Sequence, residues 1–326
     1  MFLFLYKFIS LAVLPIFLPL FAVYTFVLGK KREGFFSHLG LIPLSQNRER
    51  SLKKTIWVFA LSVGEVGSII PLLKKLGKCK PDVRIIVSVT TEAGFWAAKN
   101  SLHFVESIFF HPLDFWPFWE IALRRAQPDI FVVTETGFWP GQLLLMKKLK
   151  INLFLFQGRI SEKSANTYKK IPSLSKKIFN CFTTICVQSK IGKLILKDLG
   201  IPQEKIKLLG NSKFDGLQTV SEKFLKNLLS QLKINSTALV WVAGSTHEKE
   251  ESLILNVFTK LREKFPNLVL ILAPRRLERL QQVISKIKVK NLKFVQKTLI
   301  PEHDSHSIIL LDTMGELAEI YSIATA

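Results

Sequence analysis

The sequence predicts an α/β fold in which two domains each contain a largely parallel sheet. From Thr55 onward, short apolar runs of strand length alternate with longer amphipathic stretches, a pattern typical of open sheets with crossover helices. The chain of 326 residues is longer than one ordinary domain and suits two. Hydrophobic residues make up 48% of it, which is enough for packed cores and excludes a wholly disordered protein.

The first domain is predicted over residues 55–209. Its strands are predicted at Ile56–Leu61, Val83–Val89, Ile130–Thr134, Ile151–Phe156 and Thr184–Val187. Amphipathic stretches around them predict helices near 65–77, 92–100, 115–126, 139–149, 168–180 and 190–199. This order predicts crossover helices between strands, which make neighbouring strands parallel.

The second domain is predicted over residues 210–326. Its strands are predicted at Ala238–Ala243, Leu268–Ala273, Asn291–Val295 and Ile308–Asp312, and its helices at 220–233, 248–264, 276–287 and after Gly315. Ligands of such sheets bind where the strands end. The turns that follow the strands, at a cleft between the two domains, are therefore the predicted site.

An uncharged apolar segment at the N-terminus predicts a membrane anchor over residues 1–29. Phe8–Leu28 would extend roughly 31 Å as a helix, which is enough to cross a hydrocarbon core. Basic residues follow at positions 30–32, and the positive-inside rule then places the body on the cytoplasmic side. Residues 30–54 are predicted to be a basic tether close to the membrane.

Two alternatives remain for this segment. A cleaved signal peptide would carry the opposite charge bias and a small-residue cleavage site, neither of which is seen here. Pro15 and Pro19 leave open a shallow insertion into one leaflet instead of a span.

The net charge of +21 predicts an anionic partner: a membrane surface, a phosphorylated substrate or nucleic acid. The basic residues are spread through the helices without interleaved stacking aromatics, so nucleic acid is disfavoured. The three cysteines, Cys79, Cys181 and Cys186, cannot form a disulfide framework and lack a second ligand pair for zinc. A zinc site is therefore disfavoured.

Two acidic turns follow strands of the first domain. Glu65, in Ser62-Val63-Gly64-Glu65, is placed to take a proton from a substrate hydroxyl, with Gly64 allowing a tight turn. The alternative is a capping box, because Ser62 and Glu65 have its spacing. Glu135 follows a strongly apolar strand and is a candidate cleft acid; its alternative is a charge at a helix N-terminus.

Four further turns fall at the domain junction or after strands of the second domain. Lys213 could meet a phosphate, with a solvated turn as the alternative. Ser245-Thr246-His247 suits an anion at a helix start, with a plain N-cap at Ser245 or Thr246 as the alternative. Pro274-Arg275 presents an Arg suited to a phosphate or carboxylate, and Met314-Gly315-Glu316 suits phosphate or ribose.

Taken together, these motifs resemble the 3-deoxy-D-manno-octulosonic acid (Kdo) transferase family of lipopolysaccharide assembly. The resemblance runs from the N-terminal anchor to the last residue. It implies a GT-B glycosyltransferase at the inner membrane with two Rossmann-like domains facing a cleft. The implied reaction is an inverting transfer of Kdo from CMP-Kdo to the tetraacylated, bis-phosphorylated lipid A precursor. It implies no metal and no resident cofactor, with CMP-Kdo as the donor substrate.

The resemblance also implies roles for individual residues. Glu65 matches the general base, and Glu135 and Lys213 match residues that stabilise the transition state. CMP would contact Pro274, Arg275, Met314, Gly315 and Glu316, together with Ser245 and Thr246. The predicted substrate cleft adds Ser62, Gly64, Arg159 and His247.

The sequence departs from this family in three places. Gly137 stands where relatives have a second acid, and Arg276 and Leu277 stand where they have His and Pro. Relatives continue with a Gly-Gly-His-Asn-Pro-Leu-Glu segment, so the second domain is predicted to be incomplete. A transferase using another nucleotide sugar and an inactive, membrane-tethered fragment that binds anionic lipid remain as alternatives.

Overall fold

A computed structural model describes residues 2–27, 32–44, 53–212, 221–300 and 306–326. It divides into two compact units, Met1–Leu217 and Gln218–Ala326. The boundary expected from the sequence lies a few residues earlier, at 210. Each unit is described by itself below.

Unit 1 contains a seven-stranded sheet in which all strands are parallel. Its spatial order is β3-β2-β1-β4-β5-β6-β7. The strands are β1 (Thr55–Ala60), β2 (Arg84–Val89), β3 (Ser107–Phe110), β4 (Ile130–Thr134), β5 (Asn152–Gly158), β6 (Thr184–Val187) and β7 (Ile206–Leu208). Sequence reading missed the edge strands β3 and β7, since runs of four and three residues give little periodic signal.

Nine α-helices occur among the described residues of unit 1. They are α1 (Phe2–Phe26), α2 (Phe35–His38), α3 (Val63–Cys79), α4 (Glu92–Ser101), α5 (Trp116–Ala126), α6 (Pro140–Lys148), α7 (Glu162–Lys170), α8 (Pro172–Phe179) and α9 (Lys190–Asp198). The single helix predicted at 168–180 is wrong. Ile171 takes φ −127° and ψ 58°, because Pro172 disfavours a helical backbone at the residue before it.

Helices cover both faces of this sheet. α3 and α4 pack on one face, whereas α5, α6, α8 and α9 pack on the other. The chain therefore leaves β1 towards β2 on one side and returns to β4 on the other. All six residues of β1 are buried, as a strand covered on both faces requires. The switch in winding direction lies between β1 and β4, where doubly wound sheets bind ligands.

Residues 32–44, which we predicted as part of a tether, pack along the outer strand β3. Leu113 donates its N–H to the His38 carbonyl at 3.0 Å, and the Ser107 hydroxyl bonds to the Pro43 carbonyl at 2.8 Å. Ile42 is fully buried. This segment covers an edge that would otherwise offer unpaired backbone groups to other chains.

Unit 2 contains a parallel sheet of order β10-β11-β9-β8. Its strands are β8 (Leu239–Thr246), β9 (Leu268–Pro274), β10 (Phe294–Gln296) and β11 (Ile308–Leu310), and its helices are α10 (Glu222–Gln231), α11 (Glu248–Lys264), α12 (Leu280–Val289) and α13 (Leu317–Ile320). α11 and α12 pack on one face, and α10 and Ile320 pack on the other. The predicted helix 276–287 begins later, at Leu280, after a 3₁₀ turn.

Candidate functional site

Glu65 lies at the switch point of unit 1, in the first turn of α3 directly after β1. Its Oε2 atom accepts hydrogen bonds from the Leu61 N–H at 2.7 Å and from the Thr134 hydroxyl at 2.5 Å. Thr134 is the last residue of β4. Because these donors come from the ends of the two strands that flank the switch point, they fix the direction of the buried carboxylate.

The capping-box alternative for Ser62 and Glu65 is wrong. Ser62 is the N-cap of α3 but makes no side-chain capping bond, and Glu65 bonds to the N–H of Leu61. Our reason for Gly64 is also wrong, because it is the second residue of α3 and is not among the residues with positive φ. Glu65 therefore does not form a standard helix cap, and its role as a general base stays a prediction.

Glu135 follows β4 in a left-handed conformation, with φ 46°. Its N–H bonds to the Phe156 carbonyl at 3.0 Å, and its carbonyl accepts the N–H of Arg159 at 3.1 Å. Non-glycine residues persist in this region only when their surroundings enforce it, and such residues cluster at functional sites. The backbone bonds to the end of β5 hold Glu135 beside Arg159. The role of Glu135 as a cleft acid stays a prediction.

Gly137 occupies a place that has no room for a second acid. A Cβ atom built there would lie 2.6 Å from Cε1 of Phe59 and 3.4 Å from Cγ1 of Val133. Phe59 is fully buried in β1. The departure from the family pattern therefore has a packing reason in this chain.

A buried polar network lies against Phe59, the ring that faces Gly137. The sequence did not predict this network. Trp57 Nε1 donates to the Ser88 hydroxyl at 2.7 Å, and that hydroxyl lies 2.8 Å from His111 Nδ1. His111 Nε2 lies 3.3 Å from Oε1 of Gln142. The ring of His111 stacks on Phe59 at 3.5 Å between centroids. In the sequence, the only sign of this network was a histidine directly after a short apolar run.

Burial lowers the pKa of His111 to about 3 through desolvation of the charged form. The neutral ring fits the network, because Nδ1 can accept from Ser88 while Nε2–H donates to Gln142. A charged ring would have two donors and would leave Ser88 without its acceptor. The network is therefore built around an uncharged histidine.

Arg159 is exposed on a cavity of about 480 Å³ at the ends of β5 and β6. Ser161, Lys163 and Gln188 also line this cavity. Arg159 and Lys163 give this part of the site a positive character that suits an anionic group.

Lys213 lies outside the described residues. The chain just before it is placed: Gly210 has φ 79°, and the Ser212 hydroxyl bonds to the Ser68 carbonyl of α3 at 2.8 Å. Ser68 is three residues from Glu65 in the same helix. The segment that leads to Lys213 therefore returns to α3 close to Glu65.

In unit 2, β8 ends in an irregular turn. Ser245 has φ 58°, and the register of β8 against β9 shifts between Gly244 and Thr246. Thr246 is 4% exposed, and its hydroxyl lacks a hydrogen-bond partner among the described residues. A plain N-cap at Ser245 or Thr246 is wrong: His247 is the N-cap of α11, and its N–H bonds to Glu250 Oε2 at 2.7 Å.

The ends of β8 and β9 come together. Thr246 pairs with Pro274, and its carbonyl accepts the N–H of Arg275 at 3.0 Å. Arg275 is exposed. A buried hydroxyl without a partner and an exposed guanidinium thus lie next to the N-terminus of α11, an arrangement that suits an anion.

After β11, Met314 is exposed and Gly315 takes φ 94°, a conformation that favours glycine. Glu316 pairs with Lys297 at 2.5 Å and also bonds to the Thr313 hydroxyl. The bonds to Lys297 and Thr313 lower the pKa of Glu316. Lys297 was not named in the sequence analysis, because it follows a strand of three residues.

Across the described ranges, no three His, Cys, Asp or Glu side chains group in a way that could hold a metal ion. The prediction of a metal-free and cofactor-free site stays a prediction. Positive side chains near the strand ends are the groups available to neutralise an anionic ligand.

Comparisons with known proteins give a consistent result. A family model described as "3-Deoxy-D-manno-octulosonic-acid transferase (kdotransferase)" matches residues 32–216. A 3-deoxy-D-manno-octulosonic acid transferase from Haemophilus influenzae is 30% identical over 302 residues, which cover 90% of this chain and 67% of the relative. One from Rickettsia prowazekii is 30% identical over 312 residues, with 90% and 65% covered. The chain thus spans about two thirds of the length of these relatives.

A solved structure supports the fold. The UDP-GlcNAc 2-epimerase of Neisseria meningitidis bound to UDP-GlcNAc matches with a TM-score of 0.56 and 14% identity, covering 82% of this chain and 74% of that chain. At this identity the match shows the fold alone. The fold is α/β of the GT-B type, built from two Rossmann-like units.

Proposed function

Because the chain belongs to the Kdo transferase family, we propose that it transfers Kdo from CMP-Kdo to a tetraacylated, phosphorylated lipid A precursor in lipopolysaccharide biosynthesis. The observation that carries the proposal is the position of Glu65. Its buried carboxylate is aimed by donors from the ends of β1 and β4, at the switch point of the acceptor domain.

In this mechanism Glu65 is the general base. A sugar hydroxyl is a weak nucleophile, and a positioned carboxylate assists by accepting its proton as the new C–O bond forms. The hydroxyl oxygen attacks the anomeric carbon of Kdo from the face opposite CMP. The bond to CMP breaks with its electron pair, so the anomeric configuration inverts.

Unit 2 binds the donor in this proposal. Arg275, the amides at the start of α11 and the turn at Gly315 meet the phosphate of CMP, while Glu316 accepts hydrogen bonds from the ribose. Lys213 and Glu135 stabilise the transition state. Pre-positioned positive groups that face a departing phosphate lower the barrier without a metal.

The reaction is proposed to take place at the cytoplasmic face of the inner membrane. The helix α1 is long and apolar enough to enter a bilayer, with a mean hydropathy of 2.1. The net charge of +21 attracts the body to anionic lipids. A membrane-held enzyme remains beside an acceptor that cannot leave the bilayer.

A mass-spectrometric transfer assay tests this function. Membranes carrying the chain receive CMP-Kdo and the tetraacylated precursor, and we expect a mass gain of one or more Kdo units. Glu65→Gln keeps the shape but removes the base, and should lower the rate by roughly 10²–10⁴-fold. Glu92→Gln, an exposed acid at the start of α4, is the matched control.

A second arm tests the donor and the length of the chain. Excess CMP should inhibit the transfer, whereas UDP should not. If the chain alone is inactive, it is extended with the C-terminal segment of the Haemophilus influenzae relative. Absence of transfer in both forms, or equal rates for Glu65→Gln and Glu92→Gln, contradicts the proposal.

A further inference from the structure

Helix α1 places most of its few polar residues, together with some apolar ones, against the protein and turns a wholly apolar face outward. Side chains at positions 3, 6, 7, 10, 14, 17, 18, 21, 22 and 25 form one stripe that is buried or half-buried against the rest of unit 1. This stripe contains Tyr6, Lys7, Ser10 and Thr25. The exposed side carries large apolar residues, among them Phe4, Phe8, Leu11, Ile16, Leu20 and Val23. A soluble surface helix has the opposite arrangement.

Specific contacts fix the N-terminal half of α1. The Tyr6 hydroxyl donates to Asp114 Oδ1 at 3.0 Å, and Ser10 Oγ accepts the N–H of Trp116 at 3.2 Å. The ring of Tyr6 fills the space above Gly141, where a Cβ atom would lie 2.1 Å from it. These partners lie next to the N-termini of α5 and α6, just after β3 and β4.

The contacts continue along the rest of the helix. The ring centroid of Phe17 lies 4.6 Å from that of Phe115, and those of Phe21 and Phe26 lie 5.5 and 4.8 Å from that of Phe35. From Tyr6 to Phe26 the docked length is about 30 Å, at 1.5 Å per residue. That equals the thickness of a hydrocarbon core.

This docked length limits the orientation that α1 can take in a bilayer. If the docked helix crossed the membrane, the polar groups of unit 1 that line it would have to cross the whole hydrocarbon core, at a cost of several kcal/mol for each unsatisfied backbone group. We propose that α1 lies in the plane of one leaflet with its outward face among the acyl chains. Both of its ends then stay on the same side of the membrane as unit 1.

Exposed apolar residues also occur in the segment that follows α1. Phe36 is 65% exposed and Leu41 is 43% exposed, and both belong to the segment that joins α1 to the covered edge of the sheet. Among the described residues, the outward face of α1 carries large exposed apolar side chains and no charged group. An acyl-chain layer is the occupant that suits it. The inference does not depend on which sugar is transferred.

Labelling of cysteines from either side of the membrane tests the orientation. A cysteine is added before Met1, Cys181 and Cys186 are replaced by alanine, and the exposed Cys79 remains to mark the side of unit 1. We expect a membrane-impermeant maleimide to label both cysteines in inverted inner-membrane vesicles and neither in spheroplasts. Labelling of the N-terminal cysteine in spheroplasts, with Cys79 protected, would show a span and overturn the proposal.

Vesicle flotation tests the occupant. Ile16→Asp combined with Leu20→Asp changes only outward residues and should abolish flotation of the purified chain with zwitterionic phosphatidylcholine vesicles at 1 M salt, where attraction between charges is screened. Flotation unchanged by this pair, or a chain that stays soluble as a dimer without lipid or detergent, overturns the proposal.

A pair of glycine variants tests the docking. Gly141→Leu should destabilise unit 1 because it displaces Tyr6. Gly67→Leu is the control, since nothing lies within 4 Å of the Cβ position at Gly67. Equal unfolding midpoints for the two variants would show that α1 is not docked and would overturn the proposal.

Discussion

At the scale of single residues, this site depends on side chains whose neighbours leave them little freedom. Glu135 keeps a left-handed backbone because bonds to Phe156 and Arg159 hold it on both sides. Glu65 is held by two donors at one oxygen. In the proposed reaction, groups that are fixed before substrate arrives need no reorganisation.

The space at Gly137 gives the first stability prediction. Gly137→Ala places a methyl group against the ring of Phe59, and overpacking of this kind costs about 1–3 kcal/mol. Urea unfolding should show this loss, and the second change Phe59→Leu should recover part of it. Gly67→Ala, with open space around its Cβ, should not destabilise. Additive effects of Gly137→Ala and Phe59→Leu would contradict the contact.

The buried His111 predicts a dependence of stability on pH. Its folded pKa of about 3 lies below the unfolded value of about 6.5, so the unfolded state binds a proton first as pH falls. The contribution of the neutral His111 ring to the free energy of unfolding is present above about pH 6.5 and is lost progressively as the pH falls towards 3. Between pH 7 and 5 the free energy of unfolding should fall by about 2 kcal/mol from this group.

His111→Gln should reduce this fall in the free energy of unfolding between pH 7 and 5, measured by denaturant unfolding at each pH. His103→Gln, an exposed histidine, should leave it unchanged. The assignment fails if the two variants show the same slope.

At the scale of elements, unit 2 joins two helices through a buried ion cluster. Glu251 in α11 is fully buried. Both guanidinium Nη atoms of Arg279 bond to its carboxylate at 2.9 Å, and Lys286 of α12 approaches it at 3.0 Å. The position of α12 beside α11 therefore depends on one carboxylate.

Removing this carboxylate should destabilise unit 2. Glu251→Ala leaves two cations without their partner, and breaking a buried pair costs about 3–5 kcal/mol. Thermal unfolding monitored in unit 2 should show the loss, whereas the exposed Glu278→Ala should change little. A loss below about 1 kcal/mol would mean that water replaces the carboxylate.

At the scale of the whole molecule, the proposed membrane binding draws on both charge and hydropathy. The excess of 46 Lys and Arg over 25 Asp and Glu favours anionic lipid through long-range attraction, while α1 contributes apolar burial. Salt screens the first effect and leaves the second.

Flotation with vesicles should separate these two contributions. Binding should be stronger to vesicles with anionic lipid than to zwitterionic ones, and this difference should disappear at 1 M salt, where the Debye length is about 3 Å. Binding through α1 should persist there. Complete release from both kinds of vesicle at high salt would show that α1 does not insert.

The sequence alone determined the α/β class, most strands, the basic charge and the family. These follow from periodicity, composition and short motifs at strand ends, which are local properties of the chain. It also named Glu65 and Glu135, because a carboxylate after a strand of a parallel sheet has a known place. Short edge strands, the break at Ile171 and the N-cap at His247 were missed, since their local signals are weak.

Only the tertiary structure decided which side chains meet. The bond between Glu65 and Thr134 joins residues far apart in the chain. The network at His111 draws on two strands, the residue that follows β3 and a helix. The space at Gly137 depends on a ring from another strand. The same holds for α1, whose hydropathy predicts a membrane helix but whose polar stripe acquires meaning only against Asp114 and Trp116. Contacts between distant residues depend on packing in three dimensions, and no local pattern encodes them.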